Sequence, residues 1–435
     1  MNELTIMSQC FAQVRRVAKE SPMYREKFKD IPVNTMMTKE QFETLPFTTK
    51  QDLRDAYPMG MQCVPNDKIV RVHSSSGTTG TPVIMPYSAQ DIEDWAVMFE
   101  RCYQFAGVTP EDRVQITPGF GLWTAGLGFQ AGAERLGAMV IPTGAGNTDR
   151  QLQLMRDLNA TVLCSTSSYA LVIAEEVDKR GMRDQIHLKR GIFGSERWGD
   201  KIRERIHETL GIEFFDIYGL TEIYGPGIAI DCEEHTGMHY FNDYIYCEII
   251  DPVTGKVLPD GEQGEIVITT FRKEAAPLIR YRTRDISRII PGECPCGSPF
   301  PRLDRIVGRS DDMIKVKGTN IYPAQVEEIL KNIDGFSSEY RIILENKDLR
   351  DRMIVQAEMK ECADPERLTQ EHVRECHSRL SIRPGPDVQQ LRQHARRPQQ
   401  QQRLPHTTHY PQLHKTPHRA TTPPQHACRY TRTAP

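Results

Sequence analysis

Lys189–Glu222, KRGIFGSERWGDKIRERIHETLGIEFFDIYGLTE, switches between two periodicities, and that switch sets the fold class. Lys189 to Gly194 is a short apolar run suited to a buried strand. Asp200 to Leu210 carries apolar residues at helical spacing, and Glu213 to Ile217 reads as a second strand. The same alternation runs upstream. Arg113 to Ile116, Ala138 to Pro142 and Ala160 to Cys164 read as strands; Gln90 to Phe105, Thr148 to Leu158 and Ser168 to Lys179 read as helices. The expected fold is α/β, a large N-terminal domain of mixed and parallel sheets with helices. Ligands gather at the carboxyl ends of such strands, and two of these ends are polar. Ile192-Phe193 runs into Gly194-Ser195-Glu196, and Asp216-Ile217 runs into Tyr218-Gly219-Leu220-Thr221-Glu222. Tyr218 offers a flat face for a base, Thr221 a hydroxyl for phosphate, and Glu222 a carboxylate for hydrated Mg²⁺. Thr221 and Glu222 would equally serve as caps of a following helix.

The 435 residues are 38% hydrophobic, enough for two or three domains with real cores. A net charge of −3 gives no global attraction to nucleic acid or anionic membrane. The N-terminus lacks the basic start and apolar run of a signal peptide, and no apolar stretch approaches membrane-spanning length, so a soluble cytoplasmic protein is expected. The 11 cysteines are odd in number and scattered, which favours free thiols and a metal site over disulfides.

His73 to Pro82, His-Ser-Ser-Ser-Gly-Thr-Thr-Gly-Thr-Pro, has the makings of an anion cradle. Gly77 and Gly80 free the backbone to turn N–H groups toward a phosphate, and Thr78 and Thr79 add hydroxyls. The Gly-Lys-Ser/Thr ending of a Walker loop is missing, which disfavours a P-loop NTPase. A mobile polar linker is the other reading. Ile69, Val70 and Val72 before it and Val83 to Met85 after it suggest a hairpin. From Pro118 to Asn147 glycines interleave with Phe120, Trp123 and Phe129, as in an apolar pocket or a helix packed closely on a sheet.

Beyond Tyr244 the pattern turns to β, with strands at Tyr244–Ile250, Gly264–Thr270 and Leu278–Arg282. Cys232 and His239, with Cys294 and Cys296, offer three thiolates and an imidazole for a closed structural zinc site. His235 and Cys247 are competing ligands. Arg302 to Gly318 reads as an inter-domain junction, followed by a helix at Pro323–Lys331, strands at Tyr340–Leu344 and Met353–Met359, and a last helix at Arg367–Leu380. From Gln389 onward there is no Asp or Glu, and six of the 13 histidines crowd into that stretch. Such a segment cannot bury enough surface to fold. It reads as an out-of-frame ending, the alternative being a basic nucleic-acid or metal tail.

Taken together and in order, the glycine-hydroxyl loop, Asp216-Ile-Tyr-Gly-Leu-Thr-Glu222, Tyr281-Arg-Thr-Arg-Asp285, and Gly308-Arg309-Ser-Asp311 with Ile314-Lys-Val-Lys-Gly318 resemble the adenylate-forming acyl-CoA synthetase superfamily. Phe120 to Gly128, Phe193-Gly-Ser-Glu196 and the Cys/His set narrow the resemblance to the phenylacetate-CoA ligase family over roughly residues 1 to 383. The resemblance implies a two-step ligase using an aryl acid, ATP, CoA and Mg²⁺, with no nucleic-acid or membrane partner and with a homodimer as the common assembly. Carried over by residue, Ser75, Ser76, Gly77, Thr78, Thr79 and Gly80 would hold the triphosphate. Gly194, Ser195, Glu196, Asp216 and Tyr218 would line the adenine side; Asp285 and Arg309 would take the ribose hydroxyls. Thr221 would contact the α-phosphate and Glu222 the Mg²⁺, while Phe120 and nearby aromatics would line the aryl pocket. Lys315 and Lys317 ride on a swinging loop past a hinge near Asp311, and Lys317 is the one placed with the catalytic residues.

The expected domains are 1–304, an AMP-binding domain with a zinc-binding β subdomain at about 230–304; 305–383, a small mobile α+β lid; and 384–435, a disordered or aberrant tail. The family places a catalytic lysine in a Gly/Lys-rich ending. Past Lys360 this chain has only Lys415, so poor acyl-adenylate formation is expected. Two alternatives remain: the same chemistry on another acid or in a coenzyme F390 synthetase type of AMP transfer, and a non-catalytic nucleotide-binding protein.

Overall fold

In the computed structural model the described residues are 2–36, 38–75, 81–196, 199–312, 314–316, 319–321, 323, 326, 329–330, 333, 336–347 and 350–359. All fall in one unit, Met1–Gln393. Met1, Met37, the loop residues 76–80, Lys317, the expected helix at 367–380 and the tail lie outside the described residues.

Four helices open the chain: α1 (Glu3–Glu20), α2 (Pro22–Lys27), α3 (Lys39–Glu43) and α4 (Lys50–Asp55). Each begins on a side-chain cap, and Thr38 and Thr49 each complete a capping box. The hairpin predicted around the hydroxyl loop is present, with β1 (Ile69–Ser74) antiparallel to β2 (Ile84–Ser88). The α/β core then runs α5 (Ala89–Phe105), β3 (Arg113–Ile116), α6 (Ala125–Leu136), β4 (Met139–Ile141), α7 (Thr148–Asp157), β5 (Val162–Thr166), α8 (Ser167–Lys179), β6 (Arg190–Gly194), α9 (Asp200–Leu210) and β7 (Glu213–Leu220).

Along these strands adjacent residues enter opposite cores, as a period of two requires. Val162, Cys164 and Ile192 pack with Trp95, Phe99 and Phe129 of α5 and α6. Leu163 and Phe193 pack with Met155, Ile173 and Ile206 of α7, α8 and α9. A sheet covered on both faces needs strands that are apolar on both, which is why Ile192-Phe193 reads as a continuous run. The glycines of α6 belong to this packing. A Cβ at Gly128 or Gly132 would lie 2.3 Å from Phe99, so the close-packed-helix reading describes them.

The sheet continues antiparallel through β8 (Gly225–Ile230) and β9 (Met238–Tyr240), two strands the sequence reading lacks. With β13 (Ile289–Ile290) and β14 (Arg302–Leu303) it has nine strands ordered β13-β14-β9-β8-β7-β6-β5-β3-β4. A four-stranded antiparallel sheet, β10-β11-β12-β15, joins β10 (Ile245–Ile250), β11 (Gly264–Thr270), β12 (Tyr281–Ser287) and β15 (Gly308–Arg309). The strand predicted at Leu278–Arg282 therefore begins later and runs on to Ser287. Segment 230–304 is shared between the two sheets rather than forming one. Farther on, β16 (Ile314–Val316) pairs with β17 (Thr319–Ile321), and the predicted strand pair is present as β18 (Phe336–Lys347) and β19 (Arg350–Met359). No helix among the described residues is long and apolar enough to cross a membrane.

Candidate functional site

The two polar strand ends meet the four-stranded sheet. Tyr218 is held at the end of β7, where a Cβ on Gly219 would come within 2.1 Å of the Gly225 carbonyl, so the chain can close this tightly only on glycine. The Tyr218 hydroxyl donates to Asp285 Oδ2 at 2.7 Å. Asp285 on β12 stands opposite Arg309 on β15, and Arg309 Nη1 donates to Asp285 Oδ1 at 3.1 Å. The same guanidinium holds both carboxylate oxygens of Asp311, through Nε at 3.0 Å and Nη2 at 3.1 Å. Burial lifts the Asp285 carboxyl to about 6 against the opposing pull of Arg309 and Tyr218. Three separate motifs thus converge on one carboxylate with acceptor capacity to spare.

Thr221 and Glu222 form the turn between β7 and β8, closed by Ile223 N–H donating to the Leu220 carbonyl at 3.1 Å. Both side chains are largely buried. No helix follows them, so they are not helix caps. Glu222 Oε1 has no hydrogen-bond partner among the described residues. The Lys50 ammonium lies 3.0 Å from it in an ion pair without hydrogen-bond geometry. A buried carboxylate already faced by a cation is a fitting oxygen ligand for a hydrated Mg²⁺.

Gly194 and Glu196 sit at the neighbouring strand end. A Cβ on Gly194 would come 2.5 Å from the Ile217 carbonyl, and Ser195 has a left-handed φ of 71°. The Glu196 carboxylate accepts from Ser168 N–H at 3.0 Å at the start of α8. Asp216 is not part of the Tyr218–Asp285–Arg309 contacts; its carboxylate pairs with Arg203 of α9.

Of the phosphate-loop residues, Ser75 is described. Its N–H donates to the Val83 carbonyl and its Oγ accepts from Val83 N–H, each at 3.1 Å, closing the base of the loop. His73 is buried, its Nδ1 3.1 Å from the Leu122 carbonyl, and burial pushes its imidazole down to about 4. That contact ties the loop to the aromatic segment, where Phe120 and Trp123 are each 37% exposed and so remain available to a ligand. Ser76, Gly77, Thr78, Thr79, Gly80 and Lys317 lie outside the described residues.

The Cys/His set also comes together. Cys232, His239, Cys294 and Cys296 bring their ligand atoms within 4.8 Å of one another. Cys232 Sγ is 3.7 Å from Cys294 Sγ, and Cys296 Sγ is 3.3 Å from His239 Nε2. Zinc–sulfur bonds of about 2.3 Å in a tetrahedron give sulfur–sulfur edges of about 3.8 Å. His239 Nδ1 lies 2.7 Å from the Phe300 carbonyl, which leaves Nε2 for a metal. The donor set and spacing fit a zinc ion. Neither competing ligand joins: His235 Nδ1 pairs with Asp231 Oδ2 at 2.8 Å, and Cys247 is buried on β10.

Three residues at the site escaped sequence reasoning: Lys50, Tyr87 and Lys273. Tyr87 donates to the Thr221 carbonyl at 3.4 Å, and the Lys273 ammonium donates to the Ile223 carbonyl. No local pattern marks them, because their partners lie 134 and 50 residues away in the chain.

Comparison with known proteins bears on the family. The family model of AMP-binding enzymes matches residues 8–271, and that of the AMP-binding enzyme C-terminal domain matches 318–407, running past Arg383. The chain is 44% identical over 346 residues to the phenylacetate-coenzyme A ligase of Pseudomonas putida, spanning 78% of each chain. It is 42% identical over 360 residues to that of Escherichia coli K12, spanning 82% of this chain and 81% of the relative. The solved structure of 2-hydroxyisobutyryl-CoA ligase in the postadenylation state, in complex with R3-HIB-AMP, superposes with a TM-score of 0.78 at 28% identity, covering 87% of this chain and 84% of that one. Motif order, fold and identity together make the chain a member of the AMP-binding enzyme family, among the phenylacetate-coenzyme A ligases.

Proposed function

We propose that the chain is an ATP-dependent acid–thiol ligase that converts phenylacetate to phenylacetyl-CoA. Its identity of 39–44% to four curated ligases of this one acid carries the reading. A phenylacetate oxygen attacks the α-phosphorus of ATP, the bond to the bridging oxygen breaks, and diphosphate leaves. The CoA sulfur then attacks the acyl carbon, its proton is lost, and AMP departs with the carboxyl oxygen. A carboxylate is already a nucleophile, so the protein supplies position and charge neutralisation rather than a general base.

In this reading Ser75 to Gly80 hold the triphosphate, with Thr221 on the α-phosphate. Gly194, Ser195, Glu196, Asp216 and Tyr218 flank the adenine, and Asp285 and Arg309 take the ribose. Glu222 is the ligand for Mg²⁺, which when bound offsets phosphate charge. Lys317 acts from the lid, a domain of residues 305–383 hinged near Asp311 on an AMP-binding domain of 1–304. Cys232, His239, Cys294 and Cys296 hold a structural zinc ion. Its substrates ATP and CoA are cytosolic metabolites, which supports a cytoplasmic enzyme.

Thioester formation from phenylacetate, ATP and CoA, read by AMP release against a panel of aryl acids, tests the substrate. Preference for another acid would sink it. The absence of a Gly/Lys-rich motif after Lys360 adds an expectation about rate. Phenylacetate-dependent pyrophosphate exchange should run at least about 100-fold slower than in a homologue that has the motif, the scale of losing a positioned charged group in the transition state. Equal rates would refute that part.

The ribose assignment has its own test in pH. Asp285 must be ionised to accept two hydroxyls, and its carboxyl titrates near 6. Affinity for adenosine should therefore be full above pH 7 and fall several-fold as pH drops through 6 to 5. Adenosine serves rather than AMP because a phosphate monoester also titrates near 6. Asp285→Asn should bind weakly and with a flat profile in the same calorimetric titration.

A further inference from the structure

Lys273 is fully buried in the segment between β11 and β12. Its ammonium lies 4.2 Å from the centre of the Tyr87 ring and 4.9 Å from that of Tyr224, and it donates to the Ile223 carbonyl. Tyr87 in turn donates to the carbonyl of Thr221. The carbonyls of the residues before and after Glu222, Thr221 and Ile223, are therefore held by two side chains in contact with each other.

The backbone of Lys273 is fastened in its turn. Its carbonyl accepts from Gln13 Nε2 at 2.8 Å, and the next two N–H groups donate to the Asp91 carboxylate at 2.6 and 2.9 Å. A fixed base and a side chain whose hydrogen-bond target among the described residues is the Ile223 carbonyl make a strut from α1 and α5 to the β7–β8 turn. Tyr87 also meets His73 edge-on at 5.1 Å, so the same unit touches the strand that leads into the phosphate loop.

Filling this space does not require a charge. A methionine of similar length would occupy it without the desolvation cost of an ammonium. Methionine cannot donate to the Ile223 carbonyl, however. Burial draws the ammonium down to about 8, with Asp91 and Glu222 opposing, so it remains largely charged at neutral pH.

We propose that Lys273 and Tyr87 are a positioning pair that fixes the Thr221–Glu222 turn, and through it the cation-bearing phosphate end of the nucleotide site. The proposal rests on the reading of Glu222 as the Mg²⁺ ligand. It separates the phosphate end from the ribose end, where Tyr218 and Arg309 are bonded to Asp285.

The test is calorimetric binding of MgATP and of adenosine to the full chain, for Lys273→Met, Tyr87→Phe, Glu222→Gln and the Lys273→Met/Glu222→Gln double variant. Lys273→Met should weaken MgATP roughly tenfold and leave adenosine within twofold, with Tyr87→Phe showing the same selectivity at about two- to threefold. The double variant should lose little more than Glu222→Gln alone, because both act on one contact. Equal loss of both ligands, unchanged MgATP affinity, or additive losses would overturn the proposal. Should Lys273→Met fail to fold, Tyr87→Phe decides by the same selectivity. If Glu222→Gln alone changes nothing, the Mg²⁺ assignment fails, and coupling of Lys273→Met to Thr221→Val then decides for or against the pair.

Discussion

Arg280→Ala is expected to destabilise the fold by about 3–5 kcal/mol, the range for removing one partner of a buried ion pair, and to lower Tm by roughly 10 °C. Arg280 and Glu248 are both almost wholly buried, and Nε and Nη2 grip the two carboxylate oxygens at 3.1 and 2.9 Å. The third guanidinium nitrogen donates to the carbonyls of Glu43 and Leu45, and the group lies 4.3 Å from the centre of the Phe47 ring. One side chain thus binds the α3–α4 connection to β10. Alanine would remove the counter-charge in contact with the Glu248 carboxylate and its hydrogen-bond donors among the described residues. Burial already raises that carboxyl, with Arg280 the main opposing influence. Without Arg280 its folded pKa rises further above its unfolded value of about 4.3. A raised carboxylate destabilises above the unfolded pKa, so the deficit should be full at pH 8 and shrink as pH falls toward 5. Thermal melts across that range check the sign. Pairing Arg280→Met with Glu248→Leu should recover more than half of the loss, because the charge and its countercharge leave together. Recovery of none would mean that the bonds to Glu43 and Leu45 carry the effect.

What could be read along the chain and what could not follow from where the partners lie. The strands at Lys189–Gly194 and Glu213–Ile217 were legible because both their faces are covered and their apolar runs are unbroken. β8 escaped because it begins Gly225-Pro226-Gly227, a turn signature. The structure needs those glycines for a different reason. Gly225 and Gly227 have φ of 104° and 95°, and a Cβ on either would come within 3 Å of Trp95 or Phe99. The predicted strand Leu278–Arg282 stops short of the end of β12 because Arg282, Arg284 and Asp285 interrupt its apolar run. Its charges are instead consumed across the sheet, with Arg282 pairing with Glu265 on β11 at 2.7 Å.

The site divides in the same way. Tyr218, Asp285 and Arg309 each sit in a contiguous motif, so their chemistry was readable; their meeting at one carboxylate was not. Spacing admits His235 and Cys247 as competitors of the chosen ligands, His239 among them. Geometry separates them: His235 turns into a left-handed conformation to reach Asp231, whereas His239 on β9 lies beside Cys296. Lys50, Tyr87 and Lys273 carry no local mark at all. A lone lysine in a polar stretch reads as solvated until the fold shows it buried.

Purified chain should contain close to one zinc ion, and Cys294→Ser should lose it along with roughly 4 kcal/mol of stability. The four side chains lie on the β8–β9 connection, on β9, and on the loop between β13 and β14. A metal there ties two points 62 residues apart, and clips that close loops of this length contribute about this much through the entropy of the unfolded chain. A clip there would matter, because among the described residues β14 pairs with β9 at Arg302–His239 and Leu303–Met238, and β13 pairs with β14 at two positions more. Without the metal that end of the nine-stranded sheet should open first, seen as faster hydrogen exchange at 289–303 than at the parallel strands. The parallel strands should keep their protection, because their cores on both faces are independent of the cluster. Metal analysis, melts with and without a chelator, and exchange at those two regions are the measurements. A chain isolated under reducing conditions without metal, and no less stable for it, would show that the four side chains meet only as neighbours. Loss of metal with ribose binding intact is the outcome the fold predicts, since Asp285 belongs to the other sheet.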